Sequence, residues 1–355
     1  MLSYNNITID TVSEKAGVSK TTVSRYLNEK YEHMSEETKL RIKNVIEELE
    51  YRPNIVARNL KSKKTGLIGV ILSDVANPVA VHLIKGVIDH CTQEGYQVVT
   101  ASSDEKSSKE KEYILSMVDR QVEGLIVNTV DYNDYSLLKS LKSKGVSIVL
   151  ADRTINENSL DMVTTDNYAI TRTTIKTLYN MGFDVVALFS SNLLKSNVRL
   201  LRYNAFLDES KTYVPNPEKL AYILHEDVEG QHQYKCALDD FVQKNIGKKM
   251  AVFASTPMAL LNVLNAAHEL KLIIPRDLGV CGYDNLNWTK LISGGISVVE
   301  QPFYEVGVES AKILIQRIRG EISETAKYIE LKSRLILRNS TNMENMTNMI
   351  YKCEK

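Results

Sequence analysis

From Leu67 onward, short apolar runs alternate with stretches of helical period. LIGVILS precedes an expected helix over 78–94, and YQVVTAS follows it. A helix near 109–120 leads to GLIVN, and another near 135–144 leads to SIVLAD. A second series has helices near 169–181 and 197–209, before VVALFS and AYIL respectively. Helices near 231–244 and 259–270 flank MAVFAS, and LGVCGYD comes next. ISVVEQP then crosses back, a helix near 304–318 follows, and YIELKSRLILR closes the fold. Apolar strands separated by amphipathic helices imply parallel sheets with right-handed crossovers, covered on both faces. The units are too many for one compact sheet. The expected class is therefore α/β, with two lobes of doubly wound parallel sheet.

Ligands of such sheets bind outside the carboxyl ends of the strands. Here the apolar runs end in small or charged polar residues. Asp74 follows GVILS, Asn128 follows GLIV and Asp152 follows SIVLA; Ser190 follows VVALF, Ser255 follows VFA and Asp284 follows VCGY. Two facing lobes would aim these groups into one cleft, suited to a ligand with many hydroxyls. Taken singly, each also reads as an Asx-type residue ending a strand. Arg202 is the leading cation for the cleft, because a planar guanidinium matches a carboxylate or a hydroxyl pair. Arg153 is a second, weaker candidate. The bland alternative for Arg202 is a solvated helix face.

The N-terminal stretch TIDTVSEKAGVSKTTVSRYLN reads as two short helices joined by a tight turn. Thr8 suits the first N-cap, with Val12 and Ala16 inward, and Gly17 suits a left-handed end. Ser19 caps the second helix, in which Val23 and Leu27 share one face and Lys20, Thr21, Ser24 and Arg25 another. One face packs while the other carries short polar and cationic groups, as a helix-turn-helix needs in a major groove. The alternative is a small surface helix pair. His33 lies in the polar loop 28–34, where solvation is the ordinary role and a phosphate or base contact the minor one. Ser35 caps a third helix, with Glu36 and Glu37 in its first turn and Leu40, Val45, Ile46 and Leu49 as its apolar stripe. Tyr51-Arg52-Pro53 stops it. The segment NIVARNLK, 54–61, is too short to be a stable helix alone and adjoins the polar KSKKTG. It is a candidate for folding on a partner, with Leu60 as a wedge between base steps, or else an ordinary linker.

Charge does not advertise a nucleic-acid partner. Lys and Arg total 44 against 44 Asp and Glu, and the first 61 residues carry ten against nine. DNA affinity must come from where the charges sit, with Glu36, Glu37, Glu47, Glu48 and Glu50 away from phosphates. At 355 residues, 43% apolar and 25% charged, the composition is that of an ordinary globular chain. The four cysteines form no CxxC pair and fit idle thiols in a reducing compartment. No apolar run approaches the ~20 residues of a membrane span, and MLSYNNITID has no signal-type apolar region, so the expected location is cytoplasmic. There is no GxGxxG, no GxxxxGK[ST] and no nucleophile elbow, and the histidines lack metal-ligand spacing. The expectation is a non-enzyme with no cofactor and no metal.

AGVSKTTVSRYLN, YRPNIVARNLK, TGLIGVILSDVANP, GYDN and VVEQP, in that order, together resemble the LacI/GalR family of bacterial transcription regulators over nearly the whole chain. The resemblance implies a helix-turn-helix headpiece at 1–52, a hinge helix and linker at 53–64, and a periplasmic-binding-protein-like effector core at 65–340. Its N-lobe would take about 65–163 plus 293–324 and its C-lobe about 164–292 plus 325–340, leaving a polar tail at 341–355. It implies a homodimer on a pseudo-palindromic operator in double-stranded DNA. Ser19, Lys20, Thr21, Ser24, Arg25 and Asn28 would make major-groove and phosphate contacts, with Thr8 and His33 as further candidates. Asn54, Ala57, Leu60 and Lys61 match the minor-groove hinge. Asp74, Asn128, Asp152, Arg202, Asp284 and Gln301 match effector positions, and Ser255 joins them. Two departures matter: Thr11-Val12-Ser13 stands where the family has DVA, and Ser255-Thr256 stands where it has an Asn-Asp pair. The second argues against a plain neutral sugar or purine. SRYLNEKYEHMSEET and VARNLKSKKTGLIGV are most similar to the ketodeoxygluconate-regulon repressors of Gram-positive bacteria, which points to a sugar acid such as 2-keto-3-deoxygluconate. The rival readings are a two-lobed sugar-binding protein without a DNA role, and a regulator whose co-effector is a protein.

Overall fold

The computed structural model describes residues 7–51, 65–155, 159–193, 196–225, 228–292 and 294–342. The hinge positions Asn54, Ala57, Leu60 and Lys61, and the tail beyond 342, lie outside the described residues. Two compact units divide at Thr65 and Gly66.

Among its described residues the first unit holds three helices: α1 (Ile9–Ala16), α2 (Lys20–Leu27) and α3 (Glu36–Glu48). Val12, Ala16, Val23, Ile42, Val45 and Tyr51 form its core. The stripe of α3 differs from expectation at one position. Leu40 is 59% exposed, and Ile42 is fully buried in its place. Ile42, Val45, Ile46 and Leu49 follow the i, i+3, i+4, i+7 spacing of one helix face, and Leu40 falls off it.

The second unit carries two six-stranded sheets. The first lobe is built from β1 (Leu67–Leu72), α4 (Ala80–Gln93), β2 (Gln97–Ser102), α5 (Ser107–Asp119), β3 (Gly124–Val127), α6 (Ser136–Ser143), β4 (Ser147–Ala151) and β5 (Asp161–Thr165). The second is built from α7 (Asn167–Asn180), β6 (Val185–Ser190), α8 (Asn197–Ser210), β7 (Ala221–Ile223), α9 (Val228–Lys244), β8 (Met250–Ala254), α10 (Pro257–Glu269), β9 (Gly279–Tyr283) and β10 (Ser297–Glu300). The chain returns to the first lobe with α11 (Phe303–Arg319) and β11 (Tyr328–Leu331), and ends in the second with β12 (Arg334–Ile336). The strand orders are β11-β5-β4-β3-β1-β2 and β12-β10-β9-β8-β6-β7. Among the described residues only the β10–β12 pairing is antiparallel. Each sheet is buried by one apolar cluster on either face, as its apolar strands require.

The lobe division differs from the expected one. The stretch assigned to the first lobe at 293–324 starts with β10, which pairs with β9 in the second sheet. The stretch assigned to the second lobe at 325–340 starts with β11, which pairs with β5 in the first sheet. Apolar alternation marks a strand without saying which sheet it joins. The strand β5, DMVTT, also went unrecognised. It is fully buried despite its polar residues because Asp161 makes two 2.7 Å bonds with Arg317 and accepts from the Lys327 N–H. The crossings therefore fall at Asp166, at Gln301-Pro302 and just after β11. Helix α11 is pressed onto α4 through two glycines. A β-carbon on Gly86 would lie 2.1 Å from the Tyr304 carbonyl oxygen, and one on Gly307 would lie 2.1 Å from that of Leu83.

Candidate DNA-reading helix and effector cleft

Helix α1 ends at Gly17 with φ 62°, a left-handed conformation that costs glycine nothing. Ser19 then starts α2, its Oγ accepting the Thr22 N–H at 3.1 Å. Thr8 caps α1 reciprocally with Thr11 at 3.4 Å. These two hydroxyls thus hold the helix ends. Val23 is buried, whereas Lys20, Thr21, Arg25 and Asn28 are exposed and Ser24 is half-buried. The Asn28 amide donates to the Ser24 carbonyl at 2.7 Å. No acid lies on α2; its nearest ionic partner is Asp10, which pairs with Lys20. Four acids of the unit lie on α3, where Glu36, Glu47 and Glu48 face Lys39, Lys43 and Lys15 at 3.6, 3.9 and 2.5 Å. His33 is exposed in the turn before α3.

In the core, the carboxyl ends of β3 and β4 bring Asn128 and Asp152 together. The Asn128 amide donates to Asp152 Oδ2 at 3.1 Å and to the Ala151 carbonyl at 3.0 Å, and its oxygen accepts from Ser73 Oγ at 2.6 Å. Asp74 follows Ser73 at the end of β1. Its Oδ1 accepts the Ala76 N–H at 2.8 Å, so it closes an Asx turn.

Across the cleft, Arg202 of α8 is 4% exposed. Its Nε donates to Asn167 Oδ1 at 2.8 Å, one terminal nitrogen to the Ser255 carbonyl at 2.6 Å, and the other to Gln301 Oε1 at 3.0 Å. The guanidinium lies 3.6 Å from the centre of the Tyr283 ring. Gln301 also accepts from Thr165 Oγ1 at 2.8 Å and donates to Asp284 Oδ1 at 2.8 Å. One residue at a crossing therefore ties both lobes to the cation. The Ser255 hydroxyl donates to Ser190 Oγ at 2.6 Å. Asn167, Thr165 and Tyr283 were missed in the sequence; the first two flank the unrecognised end of β5. A groove of about 590 Å³ opens at the same crossings, lined by His82, Tyr304 and Lys332 as well as Asp284 and Gln301.

Asp152 and Asp284 are equivalent in the two lobes. Each follows its strand in a left-handed conformation, φ 66° and 72°, which a short acidic side chain tolerates. Burial raises Asp152 above the ordinary carboxylate range, against the pull of Arg153, Arg202 and Arg199. Burial raises Asp284 to about 6, opposed by Arg202 and by the bond from Gln301. Arg153 is held by Glu105 at 2.5 Å, and Arg199 approaches the same carboxylate at 4.0 Å from the other lobe. Asn197 Nδ2 crosses to Thr154 Oγ1 at 2.6 Å. The seam is thus polar, charged and closed, with groups fit to hold a hydroxylated ligand by hydrogen bonds. Among the described residues, no His, Cys, Asp or Glu cluster is placed to hold a metal, and no helix is long and apolar enough to cross a membrane.

Comparison with known proteins agrees with this architecture. Residues 8–54 match the model of bacterial regulatory proteins of the lacI family, and 175–341 match the periplasmic binding protein-like domain. The chain is 35% identical to the transcriptional regulator KdgR of Bacillus subtilis, over 94% of this chain and 97% of that one. It is 33% identical to the regulator PtxS of Pseudomonas putida, over 94% and 96%. The fold superposes on the Lac repressor dimer bound to operator and the anti-inducer ONPF with a TM-score of 0.81 at 22% identity, covering 94% and 99%. The chain belongs to the LacI family: it is a helix-turn-helix DNA-binding transcriptional regulator with a two-lobed, periplasmic-binding-protein-like effector core.

Proposed function

We propose that this regulator is a cytoplasmic homodimer that controls sugar-acid catabolism genes from a pseudo-palindromic operator, with a sugar acid bound between its lobes as effector. The outer face of α2 reads the operator: Lys20, Thr21, Ser24 and Arg25, with Asn28 at its end, contact bases and phosphates. Asn54, Ala57, Leu60 and Lys61 form the hinge that orders on DNA. Asn128, Asp152, Arg202, Asp284 and Gln301 contact the effector, and closure around it changes how the two hinges pair. The observation that carries the ligand class is Arg202, a guanidinium buried between the two lobes and already oriented by Tyr283, Asn167 and Gln301. A buried cation held this firmly suits a ligand carboxylate, and two acids beside it suit the ligand's hydroxyls. Similarity to KdgR supports 2-keto-3-deoxygluconate as the first compound to test.

Thermal unfolding against 2-keto-3-deoxygluconate, galacturonate, gluconate, glucose, ribose and adenine tests the ligand class. A ligand at a hundred times its dissociation constant adds about 2.7 kcal/mol to the core, a shift of several degrees. A shift with one or more of the acids is expected. A shift with glucose, ribose or adenine alone would overturn the sugar-acid assignment.

A further inference from the structure

We propose that Asp10 is a specificity-determining residue of the headpiece: by pairing with Lys20 it keeps that cation from DNA of arbitrary sequence. This rests on the reading of α2 as the operator-reading helix and extends it to how other DNA is refused.

The charge balance makes single cations count. Residues 7–51 carry seven Lys and Arg against nine Asp and Glu, whereas 52–64 carry five Lys and Arg and no acid. Attraction to phosphates is what holds a regulator on random DNA, and a headpiece with this balance supplies little of it. Three of its lysines are also occupied, since Lys15, Lys39 and Lys43 face Glu48, Glu36 and Glu47. The cations on α2 are Lys20 and Arg25.

Lys20 is the first residue of α2, where a reading helix meets the base edges. Asp10 lies in the first turn of α1, whose positive end favours an acid. The turn at Gly17 brings the two helices together, and the Asp10 carboxylate pairs with the Lys20 ammonium. The Lys20 side chain is 65% exposed and that of Asp10 47%, so the pair stands at the surface. In water such a pair adds almost nothing to stability. Its effect is on what approaches it. Transfer of the ammonium to a phosphate leaves the Asp10 carboxylate unpaired beside a polyanion. Retention of the pair leaves a neutral unit that displaces no counterion. Either way, random DNA gains less than one cation would give. The ammonium has three N–H donors, so an operator with guanine O6 and N7 at that position can take one while Asp10 keeps another. Asp10 therefore penalises random DNA more than the operator, and specificity is that difference.

The test uses the full chain with Asp10→Asn, Lys20→Ala and the double variant. Fluorescence anisotropy across a salt series measures affinity for a random duplex and for the duplex that the wild type enriches from a random pool. For the random duplex, Asp10→Asn is expected to steepen the slope of log K against log salt by about one per headpiece. Its affinity for that duplex should rise about threefold or more at low salt, while operator affinity changes by less than about twofold, so the ratio falls. In the Lys20→Ala background Asp10→Asn should leave the slope as it is. Melting of each variant should match the wild type, because the pair is exposed. An unchanged slope and ratio in Asp10→Asn would overturn the proposal. So would a steeper slope that persists without Lys20, since that marks a general effect of charge. If Lys20→Ala and Arg25→Ala both bind the operator as the wild type does, the reading of α2 fails first and the role of Asp10 falls with it.

Discussion

Replacing Arg202 with methionine tests the wiring of the cleft. Methionine keeps a long side chain over Tyr283 and deletes every donor. Asn167, the Ser255 carbonyl and Gln301 each lose a bond of 2.6–3.0 Å. Asp152 and Asp284 both lose a cation that offsets their burial. Removing one partner of a buried charged network costs about 3–5 kcal/mol. At about 2 °C per kcal/mol for a unit of this size, the melting temperature should fall by about 6–10 °C at pH 8. The penalty should shrink at pH 5. Asp284 has a folded pKa of about 6, above its unfolded value of 3.8. The native state therefore holds the proton more tightly, and stability falls as pH rises through that window. Without the guanidinium the folded pKa rises further, so the variant keeps losing stability at higher pH than the wild type does. Below both folded values the acid is neutral and no longer needs the cation. Circular dichroism melts of both proteins at the two pH values measure the difference. An equal penalty at pH 5 and pH 8 would refute the reasoning, because the acids would then not be partners of Arg202.

Other substitutions probe separate links. Arg25→Ala removes an exposed cation of α2, and should lower operator affinity by about 10- to 100-fold in fluorescence anisotropy while leaving the headpiece melt unchanged. Ser19→Ala should destabilise the first unit by about 1 kcal/mol, read from its thermal unfolding, through loss of the α2 cap. Gly86→Ala places a methyl 2.1 Å from a backbone oxygen of α11, so the two helices must separate; about 1–3 kcal/mol of core stability should be lost in denaturant titration.

Local chemistry was legible where it acts within a few residues. Thr8, Ser19 and Ser35 were readable as caps, and Gly17 as a left-handed end, because capping involves positions three apart. The α/β class followed from apolar runs, since a strand covered on both faces is apolar on both. Long-range partners were invisible. Nothing near Asp161 announces Arg317, 156 residues away, so the buried strand DMVTT carries no apolar signal in the sequence. For the same reason β10 and β11 went to the wrong lobes, since pairing with β9 or β5 is decided in three dimensions. Leu40 and Ile42 are separated by spacing alone: Ile42 lies three and seven residues before Val45 and Leu49 on one helix face, and Leu40 falls off that face. At the strand ends, Asp74 has the local turn role that each such residue could have had alone. Asp152, Arg202, Asp284 and Gln301 meet around one seam because both lobes present the same ends of their sheets.

Selection of DNA from a random pool by the full chain, with and without 2-keto-3-deoxygluconate, tests most directly whether a sugar acid in the cleft governs operator binding. One enriched pseudo-palindrome is expected, with its affinity changed at least fivefold by the acid, as a coupling of about 1–3 kcal/mol requires. A specific sequence bound equally with and without the acid, under conditions where calorimetry shows the acid bound, would contradict it.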